Sequence, residues 1–234
     1  CGPNAKKIIN KIFKNLDLSD ESFPHMSFKE VKLGNINCRV MRISFTGELS
    51  YEINVEASYG KYIWEKCIEA GKEFNITPYG TETMHLLRAE KGFIIVGQDT
   101  DGSVTPLDLG MKWMLSKDKD YIGKRSLLRP DCLREGRKQL IGLISDDGKT
   151  VISEGAQLVE NISSERPQEM CGHVSSSYMS DTLGHPIALA LVKNGFSSIG
   201  KKLYAFAANK KPIPVTIASA NFYDPKNERQ NVQK

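Results

Sequence analysis

The chain has 234 residues, 40% apolar and 26% charged, and its 32 Lys and Arg against 28 Asp and Glu leave a formal charge of +4. That composition excludes disordered and fibrous classes and describes a globular chain long enough to bury its own core. Apolar runs such as Pro186 to Val192 fall far short of the ~20 residues that cross a bilayer, no signal segment opens the chain, and acids and bases are too interspersed for a basic stripe. No membrane or nucleic-acid partner is therefore expected, and the expected compartment is cytoplasmic.

Asn4 heads a pattern in which Ile8, Ile9, Ile12, Phe13 and Leu16 recur at helical spacing, which predicts a helix over about residues 5–15 capped by Asn4. From Val31 to Val55 the period becomes two. Val40, Arg42 and Ser44 alternate with Met41, Ile43 and Phe45, and Tyr51, Ile53 and Val55 alternate with Glu52 and Asn54, predicting two strands joined by a short loop at Thr46-Gly47-Glu48. Ser58 opens a second helix, closed by Gly71 with Lys66 and Lys72 nearby. A third starts at Thr81 or Thr83 and runs to Gly92, and the apolar run Phe93 to Val96 predicts a short buried strand.

Residues 97–130 are rich in Gly and Pro yet hold the apolar cluster Met111, Trp113, Met114 and Leu115. A loop that long in a compact unit has a functional or docking reason. The charged stretch Arg129 to Lys138 reads as a linker, which sets the domains at 1–128 and 137–228. Beyond it six short apolar runs recur between turn signals: Gln139 to Ile144, Ala156 to Val159, Gly172 to Tyr178, Ile187 to Val192, Lys202 to Ala207 and Pro214 to Ala218. They predict a small β-barrel or sandwich, and the fold class is α+β followed by that barrel.

The five cysteines (Cys1, Cys38, Cys67, Cys132, Cys171) are odd in number and lack CxxC spacing, so free thiols in a reducing compartment are expected. Asn161-Ile162-Ser163 fits a glycosylation sequon without any other sign of secretion. The first residue is Cys and the first Met is Met26, so the sequence is expected to open inside a longer protein. Gly195 to Lys202 nearly matches a phosphate-binding G-x-x-x-x-G-K-[ST] loop, but Lys202 replaces the hydroxyl and a strand pattern follows, so it reads as a hairpin turn. Cys171 and His173 have no second ligand pair, and no metal site is expected. Neither G-x-S-x-G nor H-E-x-x-H occurs, and Ser175-Ser176-Ser177 reads as a strand with polar residues on one face.

Glu52 alternates with Tyr51 and Ile53, so if those face the core it is either solvated or lines a cavity. A cavity carboxylate accepts paired hydrogen bonds from an aminopyrimidine-type edge, and an aromatic such as Phe45 offers a stacking face. Arg88, with Glu90, offers a cation for an anionic ligand or for Glu52, or else forms a helix-surface pair.

Phe45-Thr46-Gly47-Glu48 with Tyr51-Glu52, then Leu87-Arg88-Ala89-Glu90-Lys91-Gly92, Gly97-Gln98-Asp99, Thr105-Pro106, Trp113 and Ile122-Gly123-Lys124-Arg125, resembles in order the folate-binding aminomethyltransferase family, the glycine-cleavage T-protein and its oxidase relatives. The run from Thr77 to Asp101 is most similar to the branch formed by alpha subunits of heterotetrameric sarcosine oxidases. The resemblance covers essentially the whole chain. It implies a partial aminomethyltransferase-type folate-binding domain and the family's C-terminal β-barrel, as the C-terminal part of a longer alpha subunit.

The acid that matches Glu52 in relatives binds the pteridine ring of tetrahydrofolate. The position matching Phe45 is commonly tyrosine, so Phe45 keeps the stacking face and lacks the hydroxyl. Arg88 matches a family arginine near the folate site. The family aspartate at the reacting nitrogen lies in the part of the domain that this sequence lacks, so no catalytic residue is assigned. The resemblance further implies capture of the one-carbon unit from sarcosine as 5,10-methylenetetrahydrofolate, with FAD, FMN and NAD in the rest of the complex and the other subunits of a heterotetrameric sarcosine oxidase as partners. The alternatives are a stand-alone aminomethyltransferase or folate-dependent demethylase, and a folate-fold module without chemistry.

Overall fold

A computed structural model describes residues 1–163, 167–207 and 211–230. The chain divides into two compact units: Cys1–Arg88 with the stretch from Asp224 onward, and Ala89–Tyr223.

In the first unit, helices α1 (Ala5–Ile12) and α2 (Gly60–Gly71) share a core with a three-stranded antiparallel sheet, whose order is β1 (Ser27–Leu33), β2 (Ile36–Arg42), β3 (Glu52–Asn54). Ile9, Ile12, Phe13, Phe23, Val40 and Ile63 form its centre. The first helix is shorter than its apolar spacing predicts. Phe13 and Leu16 still reach the core, but from non-helical backbone, and the Asn4 side chain makes no capping bond; its Oδ1 accepts from Lys7 Nζ instead at 3.1 Å.

The strand expected to continue to Phe45 stops at Arg42, and residues 43–51 form the connection in place of a three-residue turn. Two sets of contacts hold the chain out of a tight hairpin. Arg42 is buried and donates to Asp20 Oδ1 at 2.7 Å and to the Phe23 carbonyl at 2.8 Å. Leu49, also buried, donates its N–H to the Arg229 carbonyl and accepts at its own carbonyl from Gly2, at 3.0 and 2.8 Å.

In the second unit six antiparallel strands close a barrel in the order β4 (Lys138–Ser145), β7 (His185–Lys193), β6 (Gly172–Ser180), β5 (Gln157–Val159), β8 (Lys202–Phe206), β9 (Ile213–Ala218), and β9 returns to β4. Each strand lies on one of the six predicted runs. Alternate inward residues such as Leu143, Leu158, Val174, Ala190, Val215 and Ile217 fill it. The stretch Gly195 to Lys202 is a 3-10 turn followed by strand. It is not a hairpin turn, because β7 and β8 are not neighbours in the barrel.

The strand expected at Phe93 to Val96 is absent: Val96 is 84% exposed, and a turn closes there instead. Asp99 explains the change. Its Oδ2 takes the N–H of Ile95 at 2.9 Å while the Ile95 carbonyl accepts from Gln98 and Asp99, so those backbone groups are not available to a sheet.

The charged stretch 129–138 lies inside the second unit. Asp108, 3% exposed, receives two Arg137 N–H groups at 2.8 and 2.6 Å and both the N–H and hydroxyl of Thr105, while its carbonyl accepts from Leu140 N at the start of β4. The irregular segment is thus tied to the barrel by a bidentate, buried ion pair.

Burial pushes the Asp108 carboxyl up, but Arg137 and Thr105 together pull it below the ordinary carboxylate value. A carboxyl lowered in the folded state stabilises fully above its unfolded pKa of about 3.9. That contribution is lost as pH falls through the folded value. Asp108→Asn is expected to destabilise the protein by about 1.5–3 kcal/mol, since Arg137 loses its bidentate partner and keeps only the exposed Asp131 as a charged partner, and to flatten the acid limb of stability below about pH 4. Urea unfolding at a series of pH values measures both.

Candidate functional site

The register of the first unit's sheet decides where Glu52 points. Val40 on β2 pairs with Ile53 on β3, and both face the core. The next pair, Met41 with Glu52, therefore faces the other way, and Met41 is also opposite Phe28 on β1. Phe28, Met41 and Glu52 thus stand in one row across the open face of the sheet, with about 5 Å between neighbouring Cβ atoms. Glu52 is exposed and Phe28 is 57% exposed.

Along the same face lies an open hollow of about 700 Å³, lined by Glu30, Lys32, Arg39, Asn54 and Glu56 among others. Asn54, two residues beyond Glu52, shares its face, and Asn54 Nδ2 approaches Met41 Sδ at 3.8 Å. Arg39 lies over the Phe28 ring at 5.3 Å and pairs with Glu30 at 2.8 Å. Glu52 is not itself part of the hollow's lining. Cys38 contributes to the wall, but burial pushes its thiol up, which disfavours the reactive thiolate.

Phe45 sits in the 43–51 connection with 43% of its surface open. It is flanked by two hydroxyls, Ser44 Oγ and Thr46 Oγ1, that are buried without a hydrogen-bond partner among the described residues. A buried hydroxyl in that state costs about 1–3 kcal/mol, and Ser145 Oγ and Asn221 Oδ1 in the second unit are in the same state. The phenol of Tyr51, beside Glu52, is likewise pushed up by burial.

Arg88 lies in the last turn of α3 (Thr81–Glu90) and is completely buried, as is Glu90 at 2% exposure, so neither stands on a solvated helix surface. Glu52 forms no ion pair among the described residues, and Arg88 is not its partner. The site is thus a solvated carboxylate next to Met41, with an open aromatic ring and two unpartnered hydroxyls in the adjoining connection.

Strand pairing alone makes Met41 the cross-strand neighbour of Glu52 and Phe28 that of Met41, which the sequence does not show. The period-two pattern carried the signal for which face, not for which strand. Among the described residues no group of three or more His, Cys, Asp and Glu is placed to hold a metal ion, and all five cysteines are free thiols.

The other shared motif residues are structural in the second unit. Asp99 is fully buried and its Oδ1 accepts from Ser175 Oγ at 2.5 Å and Ser176 Oγ at 2.7 Å. Consecutive strand residues normally point to opposite faces; a bulge between Val174 and Ser176 brings both hydroxyls to one carboxylate. Gln98 adds bonds to the Ser175 carbonyl and Ser176 Oγ at 3.3 and 3.2 Å. Glu90 accepts from Ser180 Oγ at 2.6 Å, and its carbonyl accepts from Phe222 and Tyr223. Gly92 has φ +68°, and a Cβ there would stand 2.4 Å from the Ala220 carbonyl oxygen, so no side chain fits.

Two family models match the chain: the GCVT N-terminal domain over residues 1–119 and the glycine cleavage T-protein C-terminal barrel domain over residues 138–224. The chain is 48% identical to the sarcosine oxidase subunit alpha of Corynebacterium sp. (strain P-1) over 98% of its length, and 37% identical to that of Rhizobium meliloti (strain 1021) over 99%. It spans 24% of the length of each of these relatives. It is 32% identical to an aminomethyltransferase of Thermoanaerobacter sp. (strain X514), with 95% of the chain matched to 58% of that protein. Among solved structures, the glycine cleavage system aminomethyltransferase T from Bartonella henselae shares the fold with a TM-score of 0.69 at 20% identity, covering 84% of this chain and 52% of that one.

Replacing Asp99 by Ala removes the carboxylate that accepts from Ser175, Ser176 and the Ile95 N–H, although Ser175 keeps the Leu189 carbonyl at 3.3 Å, with an expected loss of about 1–3 kcal/mol in urea unfolding. Adding Ser175→Ala and Ser176→Ala to Asp99→Ala is expected to recover part of that loss, because the stranded donors go with them.

Proposed function

The chain belongs to the glycine-cleavage T-protein family, and from that premise we propose that it is the tetrahydrofolate-binding part of a sarcosine oxidase alpha subunit. The greater identity to those subunits than to the aminomethyltransferases supports this branch over a stand-alone aminomethyltransferase. In this reading tetrahydrofolate supplies a nucleophilic nitrogen pair that takes up the one-carbon unit released by amine oxidation, giving 5,10-methylenetetrahydrofolate. FAD, FMN and NAD belong to the remaining sequence and subunits of the complex.

What carries the proposal is the family match; Glu52 turns outward beside Met41, solvated and outside the lining of the hollow, and its role rests on its match to the family acid. Its two oxygens accept the N–H groups of an aminopyrimidine edge, and charge-assisted bonds of that kind are the stronger ones. Phe45 presents an open ring face for the pteridine, and Ser44 and Thr46 hold hydroxyls in need of partners. Arg88, completely buried, is assigned to the same site on its match to the family arginine.

Glu52 orients the carrier and does not itself move a proton to the reacting carbon. Holding the acceptor where the one-carbon unit arrives replaces a bimolecular encounter with a local one and limits loss of a reactive aldehyde or imine to water.

Isothermal titration of tetrahydrofolate into the full-length protein tests the reading. Glu52→Ala is expected to weaken binding by about 1–3 kcal/mol, with Glu52→Gln intermediate because the amide keeps one acceptor. Unchanged affinity in both variants rejects the role of Glu52, and absence of binding by the unmodified protein rejects folate as the ligand and leaves a fold without this chemistry.

A further inference from the structure

We propose that the stretch from Asp224 to Gln230 is a strap that holds the 43–51 connection in the shape its ligand needs, with Asp224 as the positioning residue that folds the strap. The proposal rests on the functional reading only for the identity of that ligand. Both segments belong to the first unit, although the barrel strands lie between them in the sequence.

The connection leaves β2 at Arg42 and reaches β3 at Glu52, so its conformation sets how Phe45 stands relative to that strand. Its anchor is Leu49, which is buried and donates its backbone N–H to the Arg229 carbonyl at 3.0 Å. Two side chains back this bond. Arg42 Nη2 donates to the Gln230 carbonyl at 3.4 Å, and Arg229 Nε lies 3.9 Å from Glu48 Oε1. A loop joined only to its flanking strands keeps many conformers, and each tie to a distant segment removes some of them before a ligand arrives.

Asp224 gives the strap its shape. Its backbone is left-handed, with φ +47°, while Pro225 biases the residue before it toward extended backbone, so this conformation runs against local preference. Three bonds hold it: Oδ1 accepts from Glu228 N–H at 2.9 Å, Oδ2 from Arg229 N–H at 3.2 Å, and the carbonyl from Asn227 N–H at 3.0 Å. Fixing the N–H of Arg229 fixes the residue whose carbonyl Leu49 uses. Held strain of this kind clusters at ligand clamps and switch segments.

The strap supplies no residue of the unit's apolar core, and Pro225 to Arg229 are exposed. A segment of that kind opens at low cost without taking the core with it. Its release is therefore expected to loosen the connection while the sheet and helices stay folded.

Hydrogen exchange and tetrahydrofolate titration on the full-length protein test this together. The Leu49 amide reports the strap directly, since its acceptor is a strap carbonyl. In Asp224→Ala, exchange at Leu49 is expected to quicken about 3- to 30-fold and tetrahydrofolate affinity to fall by a similar factor, with exchange in β2 and β4 unchanged. Asp224→Asn keeps one acceptor and tolerates left-handed backbone, so it is expected to recover most of both. A Gly-Ser linker of equal length in place of 224–230 is expected to give the larger change, and Lys226→Ala, an exposed side chain of the same stretch, none.

Unchanged Leu49 exchange in both Asp224→Ala and the linker protein overturns the proposal. So does quickened exchange with unaltered tetrahydrofolate affinity, and so does lost protection throughout β2, the mark of a general stability effect. If the unmodified protein takes up no tetrahydrofolate, the functional reading falls and Leu49 exchange alone decides the strap.

Discussion

The candidate site depends on the pairing of Val40 with Ile53 across β2 and β3. Both side chains belong to the first unit's core, and a strand has only two faces, so fixing Ile53 inward fixes Glu52 outward. A slip of one residue would bury the carboxylate at the cost of its hydration and expose the isoleucine. Hydrophobic burial of one residue thus sets the direction of the next, and Met41 and Phe28 take the same face by the same rule.

A shared motif need not be a shared binding site. Glu90, Gln98 and Asp99, within the run that resembles the family's motif, direct their bonds to barrel residues of their own unit. Gly92 is there because the Ala220 carbonyl leaves no room for a Cβ. These residues make the stretch between α3 and the barrel a fitted part of the second unit. Residues 43–51 differ: an open ring and two unpartnered hydroxyls are poor choices for stability and reasonable ones for recognition.

Most of the secondary structure was legible before any coordinates. All six barrel strands follow from short apolar runs between turn residues, and α2 and α3 from helical spacing with glycine stops. Two departures share one cause, competition for backbone hydrogen bonds by side chains or distant backbone. Phe93 to Val96 has strand composition, but Asp99 takes the Ile95 N–H. The strand leading to Phe45 ends early because Arg42 and Leu49 are held by Asp20, Phe23 and the C-terminal stretch. Asn4 has cap chemistry without cap geometry.

From sequence alone came the family, the α+β unit with its barrel, and the choice of Glu52, Phe45 and Arg88, because periodicity and ordered motifs are local properties of the chain. Tertiary structure alone decided which strands adjoin, that Ser175 and Ser176 both reach Asp99 through a bulge, that Arg88 is wholly buried, and that Trp113 and Ile122 stand in solvent. Those outcomes depend on residues far apart in the chain meeting in space. An apolar side chain reads the same in sequence whether the fold covers it or leaves it exposed.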